Sequence, residues 1–275
     1  MRWEIALAGQ GPREIIHWPE EADYGQIAKV RGGNPILFPF AARSFDRGQI
    51  GFWRPARDRR LPMPMHGFAR DGQFRLDACD DNGFTAILEP GAVAREAYPF
   101  DYTFAVRYTF SELAMTVEFL LDNHGDSPLP WSAGHHFYFN LPWRPGTTRK
   151  DYAVAIPAKK AFRQAADGTL VAVKDFTNLT DFADPGIVDL IHCRLTSPAC
   201  RLGSKNGEEA ITITIGDGEM PSAWTAITTW TQAADSPFYC VEPWMGPPNS
   251  PETKKGLHVV EPGGQGRFKV EVSLL

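Results

Sequence analysis

The chain has 275 residues, of which 43% are hydrophobic and 22% charged. That balance supports a sizeable core in one large β domain or two small ones. The formal net charge of −5 argues against nucleic acid as the main partner, since backbone phosphates call for a basic surface.

The first residues, Met1-Arg2-Trp3-Glu4-Ile5-Ala6-Leu7, show neither a long apolar stretch nor a small-residue cleavage pattern. No signal peptide is read, and no run approaches bilayer length. Further on, Pro55 to Pro64 is the segment closest to a linker in composition, and its many arginines mark it as a loop. Period-2 alternation then dominates. Tyr102, Phe104, Val106, Tyr108 and Phe110 share one face of a predicted strand, and Met115, Val117, Phe119 and Leu121 share one face of the next. Asn123 to Pro128 is a turn cluster between such runs. Ile211, Ile213 and Ile215 repeat the pattern before the turn Gly216-Asp217-Gly218, and Phe268, Val270, Val272 and Leu274 close the chain with it. Such alternation marks half-buried strands. Convincing amphipathic helices are scarce, and 25 glycines and 23 prolines fit many loops between short strands. The expectation is an all-β protein of stacked antiparallel sheets, a single domain over residues 1–275.

Two segments carry candidate chemistry. In Gly134-His135-His136-Phe137-Tyr138-Phe139-Asn140 the two histidines of a strand face opposite ways, so one can enter a cleft while the other packs. In Val241-Glu242-Pro243-Trp244 a carboxylate closes an apolar run, with Trp244 beside it as a wall. A histidine that gives a proton and a carboxylate that takes one are a minimal acid–base kit. A carboxylate near His136 would favour its charged form. His66, before Gly67, and Arg70 form a further candidate cluster. The basic stretch Arg54, Arg57, Arg59 and Arg60 reads either as a solvated loop or as an anion site for a sugar phosphate. The double histidine supplies too few ligands for a metal, and Cys79, Cys193, Cys200 and Cys240 form no CxxC pair. No GxSxG, GxGxxG or GxxxxGK[ST] pattern occurs, so neither a serine hydrolase nor a nucleotide cofactor is indicated.

Several segments, in order, resemble the aldose 1-epimerases, or galactose mutarotases. Asn34-Pro35-Ile36-Leu37-Phe38-Pro39, followed by Arg43, is similar to the family's early PvLFP segment. His66-Gly67-Phe68-Ala69-Arg70 resembles its HGFaR motif, and His136-Phe137-Tyr138-Phe139-Asn140-Leu141 its HxYFNL motif. Cys240-Val241-Glu242-Pro243-Trp244 resembles the segment holding its essential glutamate, and Pro262-Gly263-Gly264 its last turn. The resemblance implies a galactose mutarotase-like antiparallel β supersandwich and an isomerase that opens the ring of a hexose. It implies Glu242 as general base and His136 as general acid. Arg43, His66 and Asp189 are implied as substrate contacts. From the residues themselves, Arg70 is expected with the arginine stretch to hold a phosphate, and Trp244 or Trp224 to offer a ring to the pyranose face. Where typical galactose mutarotases carry GR…NRI, this chain has Ala41-Ala42-Arg43-Ser44-Phe45, and the HGFAR and EPW forms are similar to the hexose-6-phosphate epimerase and poorly characterised branches. No cofactor and no metal are implied. The expected partner is a sugar or sugar phosphate, with no nucleic acid and no membrane, for a cytoplasmic monomer or homodimer. A non-catalytic sugar-binding module is the reading from a different class.

Overall fold

The structure, a computed structural model, describes residues 2–7 and 11–274. Met1 and Leu275, the ends of the expected domain, lie outside the described residues. The architecture is all-β. Two large sheets, of ten and nine strands, are built by antiparallel pairing. Helix among the described residues is confined to Ala92–Ala97, Ser250–Thr253 and four short 3-10 segments.

The nine-stranded sheet contains every alternating run read from the sequence. Strand Ala114–Asn123 lies between Tyr102–Phe110 and Gln265–Leu274, and Ala210–Ile215 flanks the last of these. The register puts Phe119 opposite both Val106 and Phe268, and Val117 opposite both Tyr108 and Val270. One face of three strands is thus one apolar surface, and cross-strand contact rather than propensity holds it. Phe104, Phe119, Val117 and Leu121 are fully buried there, each worth about 1.5–3 kcal/mol in removal from water.

The ten-stranded sheet positions the site. Its centre runs Gly11–Ile16, Tyr138–Asn140, Phe238–Trp244, Ala226–Trp230, Leu190–Leu195, Ala158–Gln164. The short strand Gly134–His135 also pairs with Phe238–Trp244 and with Ile36–Leu37. One face of this sheet joins the common core through Phe137, Phe139, Tyr239 and Val241. The opposite face is lined by the alternate residues.

Two sequence expectations change. Pro55 to Pro64 is not simply a loop: Phe52–Ala56 pairs antiparallel with Arg59–Pro62. Buried Trp53 and Met63 anchor this hairpin. Pro55 falls where the register shifts between Trp53 and Ala56, so its missing N–H breaks no ladder bond. Nor does Glu242 close its strand. Pro243 lies inside Phe238–Trp244 and pairs in register with Ile227. The Met245 N–H points to Ala133, so by two-residue alternation the Pro243 nitrogen faces the same side. On that side the neighbouring chain is interrupted at His136 and Phe137, and no hydrogen bond is needed.

Candidate active site

Register explains the site. Gly134 is opposite Trp244 and Tyr138 is opposite Cys240, so the unpaired stretch between them keeps step and sets His136 across from Glu242. On the other side Glu242 pairs with Thr228, which pairs with Ile191. His136, Glu242, Thr228 and Ile191 form one row across four chains, and all four line a cavity of about 490 Å³. Tyr138 and Trp230 stand one row away on the same face and also line it.

The double histidine divides as expected. His136 faces the cavity, with Nε2 3.5 Å from Glu242 Oε1. His135 is fully buried on the core face, stacked near Phe137 and Phe268. Asn34 locks both. Its amide nitrogen donates to His135 Nδ1 and to the Tyr108 hydroxyl, each at 3.0 Å. Its amide oxygen accepts from the His136 backbone N–H, also at 3.0 Å. The Tyr138 ring stacks on His136 at 4.8 Å and Trp230 meets it edge-on at 5.8 Å. Trp244 donates its indole N–H to the His135 carbonyl at 3.1 Å. That ring fits because residue 134 is glycine: a Cβ there would lie 2.3 Å from Trp244 Cδ1.

Burial sets the electrostatics. Desolvation pushes Glu242 well above the usual carboxylate range, and the Asp189 charge adds to the push, while the Trp244 side chain opposes it. Desolvation lowers His136 to about 3, with the Arg31 and Arg70 charges adding to the fall. The expectation that a nearby carboxylate would favour the imidazolium therefore reverses at this buried site, because removal from water costs each ion more than the other returns. The pair prefers to be neutral, with its proton on Glu242. Glu242 Oε2, His136 Nδ1 and Thr228 Oγ1 are buried without a hydrogen-bond partner among the described residues.

His66 also lines the cavity, with its ring 5.5 Å from that of His136. The Ala42 N–H donates to His66 Nδ1 at 3.1 Å, and the His66 N–H donates to the Ala42 carbonyl at 2.7 Å. Nδ1 is thus an acceptor, and burial keeps the ring neutral by lowering its pKa well below the usual value. Nε2 must then carry the hydrogen, which makes His66 a fixed donor. Gly67, at φ +73°, brings the chain against Phe38, where a Cβ would meet the Phe38 carbonyl oxygen at 2.0 Å.

Arg43, Arg70, Asp189 and Trp244 line the same cavity. Asp189 is held by its N–H on the Thr229 carbonyl at 2.8 Å. Arg163 clamps the turn before it by donating to the carbonyls of Gly186 and Val188. Trp224 does not reach the cavity; it packs against Phe162 and under the Lys255 ammonium, 4.7 Å from its ring centre. The arginine hairpin does not reach it either. Arg54 forks onto Asp46 at 3.0 and 2.8 Å, and the Arg60 guanidinium lies over Phe52 at 3.7 Å. In its place Arg31, which sequence reasoning missed, joins Arg43 and Arg70 at the cavity. Arg31 and Arg43 make no ion pair among the described residues, and Arg70 Nε is buried without a hydrogen bond.

A family model described as aldose 1-epimerase matches residues 29–261. The chain is similar to chromosomal protein LacX of Lactococcus lactis subsp. lactis, at 24% identity over 244 residues covering 83% of this chain and 77% of LacX. Its fold is similar to that of a galactose mutarotase related enzyme from Lactobacillus acidophilus, with a TM-score of 0.76 and 19% identity over 100% of this chain and 97% of that one. A galactose mutarotase-like protein from Clostridium acetobutylicum gives a TM-score of 0.77 at 16% identity, covering 96% of this chain and 86% of that one. The matched span takes in Arg31, Asn34, His66, His136, Asp189 and Glu242 together, and the chain belongs to the aldose 1-epimerase family.

Proposed function

We propose that this protein is an aldose 1-epimerase that interconverts the α and β anomers of a hexose by acid–base ring opening. The observation that carries the reading is the His136–Glu242 pair, opposite one another on adjacent chains, 3.5 Å apart at the cavity wall. A pure binding module has no use for an acid and a base that share one proton.

In the forward step ionised Glu242 takes the proton of the C1 hydroxyl, the bond from C1 to the ring oxygen breaks, and the His136 imidazolium protonates that oxygen. The open-chain aldehyde turns about C1–C2, and the reverse steps close the ring on the other face. Opening thus moves one proton from the sugar to Glu242 and one from His136 to the sugar. It leaves a protonated carboxyl beside a neutral imidazole, the neutral pair that burial favours. The site is therefore matched to the protonation state that accompanies the open chain, while hydroxyls of a bound ring would solvate the ionic pair. Groups of this kind typically contribute about 10²–10⁴-fold each. His66 offers a fixed donor and Asp189 an acceptor for the remaining hydroxyls. Trp244 and Trp230 offer apolar faces.

A second reading names the charge of the sugar. Arg31, Arg43, Arg70 and Arg163 bring four cations to one cavity, and among the described residues they make only one ion pair, Arg70 with its neighbour Asp71 at 4.0 Å. That favours a phosphorylated aldose over a neutral one. Polarimetry on freshly dissolved α-glucose and α-galactose, and on their 6-phosphates, tests both readings. No acceleration of any anomeric equilibration would return the chain to the sugar-binding class.

A further inference from the structure

Strand alternation that points Glu242 into the cavity also points Cys240, two residues earlier, to the same face. In register Cys240 stands between Tyr138 and Trp230, one row from the acid–base pair. The donor atoms of His136, Cys240 and Glu242 all lie within 4.8 Å of one another, and all three residues are buried. The double histidine alone is short of ligands, and only His136 of the two faces this way; the other two donors, Cys240 and Glu242, come from one strand about a hundred residues away.

We propose that these three side chains form a site for one thiophilic divalent cation, of which Zn²⁺ is the type, and that occupancy shuts off the acid–base pair. The donor set is one sulfur, one imidazole nitrogen and one carboxylate oxygen, the ligands zinc prefers. With bonds of about 2.0–2.3 Å, tetrahedral zinc needs its donors roughly 3.3–3.8 Å apart. His136 Nε2 and Glu242 Oε1 already stand at 3.5 Å, and the Cys240 sulfur lies within 4.8 Å of both, so the thiolate has to close by at most about 1–1.5 Å to reach bonding geometry. Binding displaces the Cys240 thiol proton and the Glu242 carboxyl proton to solvent, and the thiolate and carboxylate that remain neutralise the divalent ion, as a buried site demands. Glu242 Oε2 is buried and without a hydrogen-bond partner among the described residues. Three protein ligands leave a fourth position open towards the cavity, within reach of a water or a sugar hydroxyl. The mechanism uses His136 and Glu242 but has no use for Cys240, which is the residue that separates metal binding from sugar chemistry.

The test uses the full chain with exposed Cys79 replaced by alanine, freed of metal with a chelator. Titration with Co²⁺ is expected to raise a near-ultraviolet thiolate-to-cobalt charge-transfer band at one equivalent, and Zn²⁺ should abolish it by displacement. A Cys240→Ala change should remove the band and weaken zinc binding by at least about 10–100-fold, the cost of losing even an outer partner of a metal ligand. Circular dichroism identical to the parent's would show that the fold survives. In polarimetry, zinc should slow the parent reversibly, and Cys240→Ala should keep the basal rate while losing that sensitivity. The binding arm stands whether or not the protein turns over a sugar, so it fails separately from the epimerase reading. No thiolate band with cobalt in tenfold excess, or a Cys240→Ala protein that titrates like its parent, overturns the proposal.

Discussion

Asn34 is the residue whose loss should reveal most about how the site is held. It is 7% exposed and makes three hydrogen bonds of 3.0 Å, to His135 Nδ1, the Tyr108 hydroxyl and the His136 N–H. Asn34→Ala leaves all three buried partners without their hydrogen bond to it. An orphaned buried group costs about 1–3 kcal/mol, and three that relax together give roughly 3–5 kcal/mol. At about 2–4 °C per kcal/mol for chains near this size, Tm should fall by roughly 6–20 °C. The urea midpoint should fall while the slope stays the same, since the fold still buries the same surface. Tyr108→Phe removes one acceptor and leaves Asn34 in place, so it should cost only about 1 kcal/mol. Because Asn34 sets the backbone of His136, Asn34→Ala should also lower kcat by up to about 10²-fold with a smaller change in KM. Asn34→Asp keeps the oxygen that accepts from His136 and should recover part of kcat while remaining unstable. An Asn34→Ala protein within about 1 kcal/mol of the parent and fully active would refute the reasoning.

The acid–base pair predicts that Glu242→Gln and His136→Asn each lower kcat strongly in polarimetry, with the double variant far from additive, since a step without its base gains little from its acid; additive losses would mean the two act in separate steps. Burial lowers His135 and His136 to about 3 and His192 to about 4. Their folded values lie below the unfolded one, so the stability they contribute is complete above about pH 6.5 and lost as pH falls towards 3; a urea midpoint flat from pH 7 to 4 would contradict this. Glu242 has the opposite sign, raised when folded, so its stabilising share is lost as pH rises, and Glu242→Gln should be at least as stable as the parent above pH 7. If the substrate is a phosphorylated aldose, Arg43→Ala and Arg70→Ala should reduce its turnover more than that of the free sugar, and the gap should shrink with salt, whereas Arg59→Ala, on the hairpin, should change neither.

Much of this was legible in the sequence. Ala114–Asn123 shows strict alternation because both its neighbours are long strands, and its whole length is buried on one face. His136, Glu242, His66, Arg43, Arg70, Asp189 and Trp244 were all named, and all line one cavity. What escaped was set by register. Arg31 carries no local pattern; it reaches the cavity only because the segment before Ile36–Leu37 passes that mouth. Trp224 and Trp230 look alike in sequence, yet only Trp230 lies within a strand and on the inward face, one row from Glu242. The Arg54–Arg60 stretch looked like an anion site because its partner Asp46 lies outside it and supplies the countercharge. Cys240 reads as an ordinary apolar position until Tyr138 and Glu242 show which way it points.

The opposite orientations of His135 and His136 make the sheet behave as a ruler graduated in single residues. Deleting one residue between Trp131 and Gly134, or between Tyr239 and Glu242, would exchange the two sides of a strand. The first deletion would turn the buried His135 towards the cavity and His136 towards the aromatic core; the second would turn Glu242 away from the cavity. The connecting loops can change in length without touching the chemistry, whereas these two short spans cannot. Redesign of specificity is accordingly free in the segments that carry Arg31, Arg43 and Asp189, and forbidden in the strands that carry the proton.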